Sequence, residues 1–306
     1  MTFNDDAQLD TSGVSRGGGG RGGRGLAIGG GGGILGLIVL VIYLFMGGDP
    51  SQVQQPQPQG QGQEQVGAGD LAEKCRTGAD ANKDVECRIV AAQNSVQAYW
   101  RATLPEASGG RYQWRDTNMV LFGRAQGEQA RSACGTADNN VGPFYCPLDK
   151  TVYLSATFFK VLEQQFGSSS GPLAQEYVVA HEYGHALQDQ LGLLERAQQD
   201  PKGPEGGGVR TELQADCFAG MWAKGAVETK DAQGRALMKP LTENDVRDAL
   251  SAAESVGDDH IQQQAQGRVT PENFTHGTSE QRQRWFMTGY ETGDINKCNT
   301  FAATRL

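Results

Sequence analysis

Hydrophobic and polar positions divide this chain into stretches of very different pattern. Leu26–Met46 runs for twenty-one residues without a charge, Gly-rich over Gly29–Gly33 and strongly apolar from Ile34 onward. Crossing a bilayer takes about 20 residues at helical rise, and membrane helices tolerate glycine. The run therefore predicts a transmembrane anchor over 26–46. A cleaved signal peptide would also fit Ile34–Met46, but the stretch before it is long and no A-x-A-like cleavage site follows.

Beyond Asp70 the pattern becomes that of a folded domain. Apolar residues recur at helical spacing over Asp84–Trp100, Leu173–Leu191, about Val209–Val227 and Thr278–Tyr290. Pro172 in the first turn and Gly192 just past the last bound the second of these helices. Thr242 with Asp245 forms a capping-box pattern that opens a further helix ending near Gly257. Two short β-branched or aromatic runs, Met119–Phe122 and Thr151–Leu154, predict a small sheet or hairpin. Thr151–Leu154 reads equally as an edge that receives a peptide or as a buried strand. Residues 193–208 read as a loop. Many helices with a small sheet predict an α+β domain.

Composition sharpens the boundaries. Residues 1–25 are rich in Gly and Arg and predict a disordered tail, and residues 47–69 form a Gln/Pro/Gly linker. That leaves 70–306 as one domain of ordinary size. Arg16, Arg21 and Arg24 precede the apolar run, and the first charge after it is Asp49. The positive-inside rule then predicts a single-pass membrane protein, with its N-terminus cytoplasmic and its domain periplasmic or extracellular. A net charge of −9 argues against a nucleic-acid partner, because phosphate binding needs a basic face. All six cysteines, Cys75, Cys87, Cys134, Cys146, Cys217 and Cys298, follow the run, and none forms a C-x-x-C pair. An even count outside a membrane predicts disulfides. Proximity in sequence suggests 75–87 and 134–146, leaving 217–298, out of 15 possible pairings.

The chemistry concentrates in His181-Glu182-Tyr183-Gly184-His185, an H-E-x-x-H within a predicted helix. Positions i and i+4 share a helix face with Cβ atoms about 5–6 Å apart, so two imidazoles can converge on one metal. Glu182 lies beside such a metal without binding it, where it can take a proton from water. A catalytic zinc site needs a third protein ligand and an open position. No histidine follows within Asp189–Gly192, but Glu212 and Asp216 stand at i and i+4 of the next predicted helix. Glu212 is the candidate third ligand. Asp216, one turn on, is placed to accept the N–H of a ligating histidine. The same face continues as Ala219 and Gly220, small residues that permit the close approach of the two helices.

Three segments carry a resemblance to a known family: HEYGH, then Arg210–Gly220 (RTELQADCFAG), then His276–Phe286 (HGTSEQRQRWF). They resemble the neutral zinc metallopeptidases, bacterial proteins with an N-terminal membrane anchor, and the likeness covers about Asp70 to the C-terminus. It implies a mainly helical, zincin-like (gluzincin) domain with Zn2+ on His181, His185 and Glu212 and with Glu182 as catalytic base. That family is itself similar to integral-membrane gluzincins whose H-P-x-x-x-x-R segment follows the third ligand. Here the segment is His276-Gly277-x4-Arg282, with Gly in place of Pro. His276 and Arg282 are accordingly candidates to stabilise an oxyanion; Arg282 could instead pair with Glu212 or Asp216.

The expectation is zinc-assisted hydrolysis of peptide or protein substrates by a metalloendopeptidase. Two rivals are a zinc scaffold closed by His276 as fourth ligand, and an envelope module that holds peptides without cutting them. Glu182 serves no purpose in a scaffold.

Overall fold

The computed structural model describes residues 2–17, 68–123, 128–138, 141–198 and 200–306. The expected anchor at 26–46 and nearly all of the linker at 47–69 lie outside them. Among the described residues no helix is long and apolar enough to cross a membrane.

The fold is mixed, as the periodicity predicts, and mostly helical. Among the described residues the six strands are β1 (Val14–Arg16), β2 (Asn118–Phe122), β3 (Ala130–Ser132), β4 (Gly135–Ala137), β5 (Phe144–Cys146) and β6 (Thr151–Ser155). Nine α-helices among the described residues are α1 (Ala68–Lys74), α2 (Gly78–Ala81), α3 (Val85–Ala107), α4 (Phe158–Phe166), α5 (Pro172–Gln190), α6 (Gly207–Gly225), α7 (Glu243–Ser255), α8 (Asp258–Gln266) and α9 (Ser279–Thr292). The main sheet has the order β1-β2-β6-β5, parallel except for the antiparallel β5–β6 pair, and β3–β4 form a separate hairpin. β6 is therefore an interior strand with all five residues buried, and β5 takes the outer position. The reading of Thr151–Leu154 as an edge gives way because β5 pairs with it, Phe144 opposite Tyr153.

Helix ends follow local chemistry. Pro172 sits at the first turn of α5, where its missing N–H costs nothing, and Gly192 adopts a φ of 69° just beyond its end. Thr242–Asp245 and Thr278–Gln281 close capping boxes on α7 and α9. α5 is the central element: it touches α3, β5 and β6 as well as α6 and α7. Gly184 lets it approach α6, since a Cβ there would stand 3.0 Å from the Cα and carbonyl oxygen of Ala215. Gly220, expected to admit the metal-binding helix, admits α9 instead: a Cβ would meet the carbonyl oxygen of Phe286 at 1.9 Å. The three disulfides are Cys75–Cys87, Cys134–Cys146 and Cys217–Cys298, as sequence proximity predicts. The last staples the C-terminal segment to α6.

The N-terminal stretch departs from its expectation. Residues 2–17 are an ordered part of the domain, with Phe3 and Ala7 fully buried and β1 paired with β2 in register Ser15 to Val120. Glycine-rich composition suggests disorder, but the glycines of that tail begin mainly after Arg16, whereas Thr2–Arg16 carries apolar anchors at Phe3, Ala7, Leu9 and Val14. Arg16 makes a two-pronged bond to Glu86, which Lys74 also contacts at 2.8 Å. Burial would raise the Glu86 carboxyl, but its two cations bring it down to about 2.

Candidate metal centre

His181 and His185 project from one face of α5, their rings 4.8 Å apart and nearly perpendicular. Glu212 reaches them from α6, with Oε2 at 3.2 Å from His181 Nε2 and Oε1 at 3.4 Å from His185 Nε2. One ligand atom from each of the three lies within 4.8 Å of the other two. Tetrahedral coordination at about 2.0–2.1 Å has edges of about 3.3–3.4 Å, so these separations suit donors sharing one ion. The second nitrogens are already engaged. His181 Nδ1 is 2.8 Å from Asp216 Oδ1, and His185 Nδ1 is 2.8 Å from Gln188 Oε1. Each acceptor engages Nδ1, which orients the ring so that Nε2 faces the point shared with Glu212.

The electrostatics agree. Burial alone would lower His181, but Asp216 and Glu212 outweigh it and raise it to about 9. Burial would raise Glu212, yet the neighbouring imidazoles of His185 and His276 keep it well below the usual carboxylate range. Two imidazoles and one carboxylate in a buried pocket are a donor set that fits zinc.

Asp216 is fully buried and holds the cluster together. Its Oδ1 accepts from Tyr177 Oη at 2.5 Å and Arg282 Nη2 at 2.9 Å, and its Oδ2 from Arg282 Nε at 2.9 Å. Arg282 also donates to the Val256 carbonyl at 3.2 Å and to Tyr177 Oη at 3.2 Å. Of the two roles expected for Arg282, the contacts select the pairing with Asp216. Through these bonds the guanidinium positions Asp216, while Arg282 also lines the cavity that holds the donors.

His276 stands in the same pocket as the metal donors. Its Nδ1 is 2.8 Å from Thr275 Oγ1 and 3.3 Å from Asp258 Oδ1, which leaves Nε2 for the pocket. In the sequence Asp258 is indistinguishable from an ordinary polar helix end. Here its Oδ2 accepts the backbone N–H groups of Thr275, His276 and Gly277 at 2.6, 2.6 and 3.0 Å, which fixes the loop that carries His276. Glycine at 277 has a φ of 88°, a conformation closed to proline. His260 faces elsewhere, its Nε2 3.0 Å from the Phe166 carbonyl.

Glu182 is buried in the same cavity, of about 190 Å³, and burial raises its carboxyl against the pull of His181 and His185. The cavity wall is mainly apolar and includes Pro143, Phe144 and Tyr145 at outer strand β5, with Phe158 and Leu162 of α4.

Two imidazoles from one helix, a carboxylate from the next and a buried glutamate beside them are the groups that a hydrolytic zinc site requires. The chain belongs to the family described as "Putative neutral zinc metallopeptidase", whose match runs over residues 4–301 and so takes in the N-terminal segment as well as the domain. It is 54% identical over 238 residues to an uncharacterized protein of Mycobacterium tuberculosis, covering 78% of this chain and 77% of that one. It is 45% identical over 176 residues to the uncharacterized protein YpfJ of Escherichia coli K12, covering 56% and 58% of the two chains. No solved structure matches it.

Proposed function

We propose that the chain is a zinc-dependent endopeptidase working in an oxidising compartment. The observation that carries this reading is the convergence of His181, His185 and Glu212 on one point beside the buried Glu182, in a cavity with an outer β-strand on its wall. His181, His185 and Glu212 would hold a zinc ion, which would supply Lewis-acid chemistry to water and to the scissile carbonyl.

The remaining steps fall to side chains. A peptide backbone pairs along β5, which directs its side chains into the apolar wall and its carbonyl toward the cluster. Glu182, its proton affinity raised by burial, takes a proton from the attacking water and passes it to the leaving amine. His276 Nε2 donates to the carbonyl oxygen as negative charge develops there, with Asp258 holding the ring. Asp216 fixes His181, and Arg282 and Tyr177 fix Asp216.

Among the described residues the donor cluster contains three members and excludes His276, which favours an open catalytic position over the closed four-ligand scaffold. Three disulfides support the oxidising compartment. The test is a digest of casein and a peptide library by the purified chain, with zinc quantified. One zinc per chain and internal cleavage, abolished by a chelator and restored by zinc, are expected. Zinc without cleavage would leave a scaffold or a peptide-holding module.

A further inference from the structure

We propose that Gln188 and Gln214 are positioning residues for His185, and that through them metal retention depends on the Cys217–Cys298 disulfide. The inference rests on the zinc reading of the donor cluster and concerns how one of its ligands is held.

The two histidines of α5 are oriented by different chemistry. His181 Nδ1 meets the carboxylate of Asp216, which Arg282 and Tyr177 hold. His185 Nδ1 meets a neutral amide, Gln188 Oε1, at 2.8 Å. An amide can turn over and present its NH2 group instead, which would set a donor against the ring. Gln188 is prevented from doing so. Its Nε2 donates to the Thr211 carbonyl at 2.7 Å and to Gln214 Oε1 at 3.1 Å. Gln214 is in turn held one way round, because its Nε2 donates to the Cys298 carbonyl at 2.9 Å. Backbone carbonyls only accept, so each amide directs its NH2 group down the chain and its oxygen back toward His185. The ring then carries a proton on Nδ1 and presents Nε2 to the cavity. Gln188 is fully buried and Gln214 nearly so, and a buried polar atom left without its partner gains nothing from bulk solvent.

This relay joins α5, α6 and the C-terminal segment, and it ends on the backbone of a disulfide-bonded residue. Cys298 closes the short turn Ile295–Cys298, and its bond to Cys217 ties that turn to α6 close to Gln214. Both cysteines are fully buried. The chain beyond is tied separately: Thr300 Oγ1 donates to the Arg210 carbonyl at 2.6 Å, and Arg210 Nη1 to the Ala303 carbonyl at 3.1 Å. The disulfide itself keeps the Cys298 carbonyl opposite Gln214. Without it the turn can draw back, Gln214 loses the acceptor that sets its direction, and Thr211 alone holds Gln188.

Zinc affinity is measured on the purified full chain by competition with a chelator. Gln188→Leu should lower it about 10–100-fold, as loss of a ligand's outer partner does. Cys217→Ser with Cys298→Ser should lower it by a smaller factor in the wild-type background. In Gln188→Leu the same pair should change it by less than about twofold, because the relay is already cut there. Tm should fall with the disulfide in both backgrounds, which separates stability of the fold from positioning of the ligand. An equal loss of affinity in both backgrounds would overturn the proposal, as would an affinity within about twofold of wild type in Gln188→Leu. If the serine pair does not fold, Gln214→Leu takes its place in the same cycle with the disulfide intact. A second reading needs no metal. The chain has four histidines, so isotope-labelled histidine should give a resolved His185 Nδ1–H signal, slow to exchange, that disappears in Gln188→Leu. A chain that shows this proton but binds no zinc would overturn the zinc reading and leave the relay standing. A chain that binds zinc without a protected Nδ1–H would overturn the relay.

Discussion

Helix α5 carries two buried glutamates six residues apart, Glu176 and Glu182, and burial raises both. At 100° per residue they point to different sides of the helix. Glu182 opens into the cavity with His181, His185, Glu212 and His276. Glu176 faces the N-terminal segment, where Thr2 donates to it while Oε2 has no hydrogen-bond partner. The direction of the shift is the same; the company differs. A perturbed carboxyl marks desolvation, and only its neighbours decide whether that desolvation is chemical or structural. Substituting the two residues in the same way separates these outcomes.

The largest effect is expected on the Glu182 side. Glu182→Gln should keep zinc and lose about 10²–10⁴ in kcat, as removal of a general base does. Glu212→Ala should lose the metal itself, measured as zinc per chain. Full activity in Glu182→Gln would end the mechanism. Next comes His276→Ala, with zinc retained, KM little changed and kcat lower by about 100-fold or more. Asp258→Asn should lower kcat in the same direction by a smaller factor, because Asp258 acts through the loop and ring of His276. Zinc loss in His276→Ala would restore the closed scaffold.

What is legible in the sequence follows from range. The H-E-x-x-H pair, the Glu212–Asp216 spacing and the Thr242 capping box are local patterns on single helices, and each recurs in the structure. Asp258 is hidden because its role lies in accepting three N–H groups from a loop seventeen and more residues away, which no local pattern records. Arg282 is visible as a candidate, but its partner depends on how α9 crosses α6, a contact set by Gly220 and Gly289 facing backbone atoms of the opposite helix. The N-terminal segment escapes for a related reason: composition averaged over 1–25 merges the anchors of Thr2–Arg16 with the glycines that follow.

Asp216 sits between the two extremes. Asp216→Asn keeps the volume but removes the charge that holds His181 and Arg282, so zinc affinity should fall about 10–100-fold while the helices remain. Competition with a chelator of known affinity measures this. Unchanged affinity would show that Tyr177 and Arg282 alone orient His181.

The smallest effect on catalysis, and the sharpest contrast, is Glu176→Gln. Glu176 lies on the face of α5 away from the donors, so kcat should stay within about twofold of wild type. Stability should respond through pH instead. Burial brings the folded-state carboxyl up to about 7, above the 4.5 of an ordinary glutamate, against the lowering influence of Thr2 and Arg88. Between those values the folded state holds a proton that the unfolded state has released, so wild-type stability falls as pH rises from about 4.5 to about 7 and levels off beyond. The amide that replaces the carboxyl does not titrate. Urea midpoints at pH 5 and pH 8 should therefore differ less in Glu176→Gln than in wild type, with the variant gaining most at pH 8. If the two proteins lose stability in parallel over that window, the proton is held elsewhere and Glu176 is paired after all. If instead kcat falls tenfold or more at unchanged zinc content, the two faces of α5 are not independent, and the contrast between its glutamates fails.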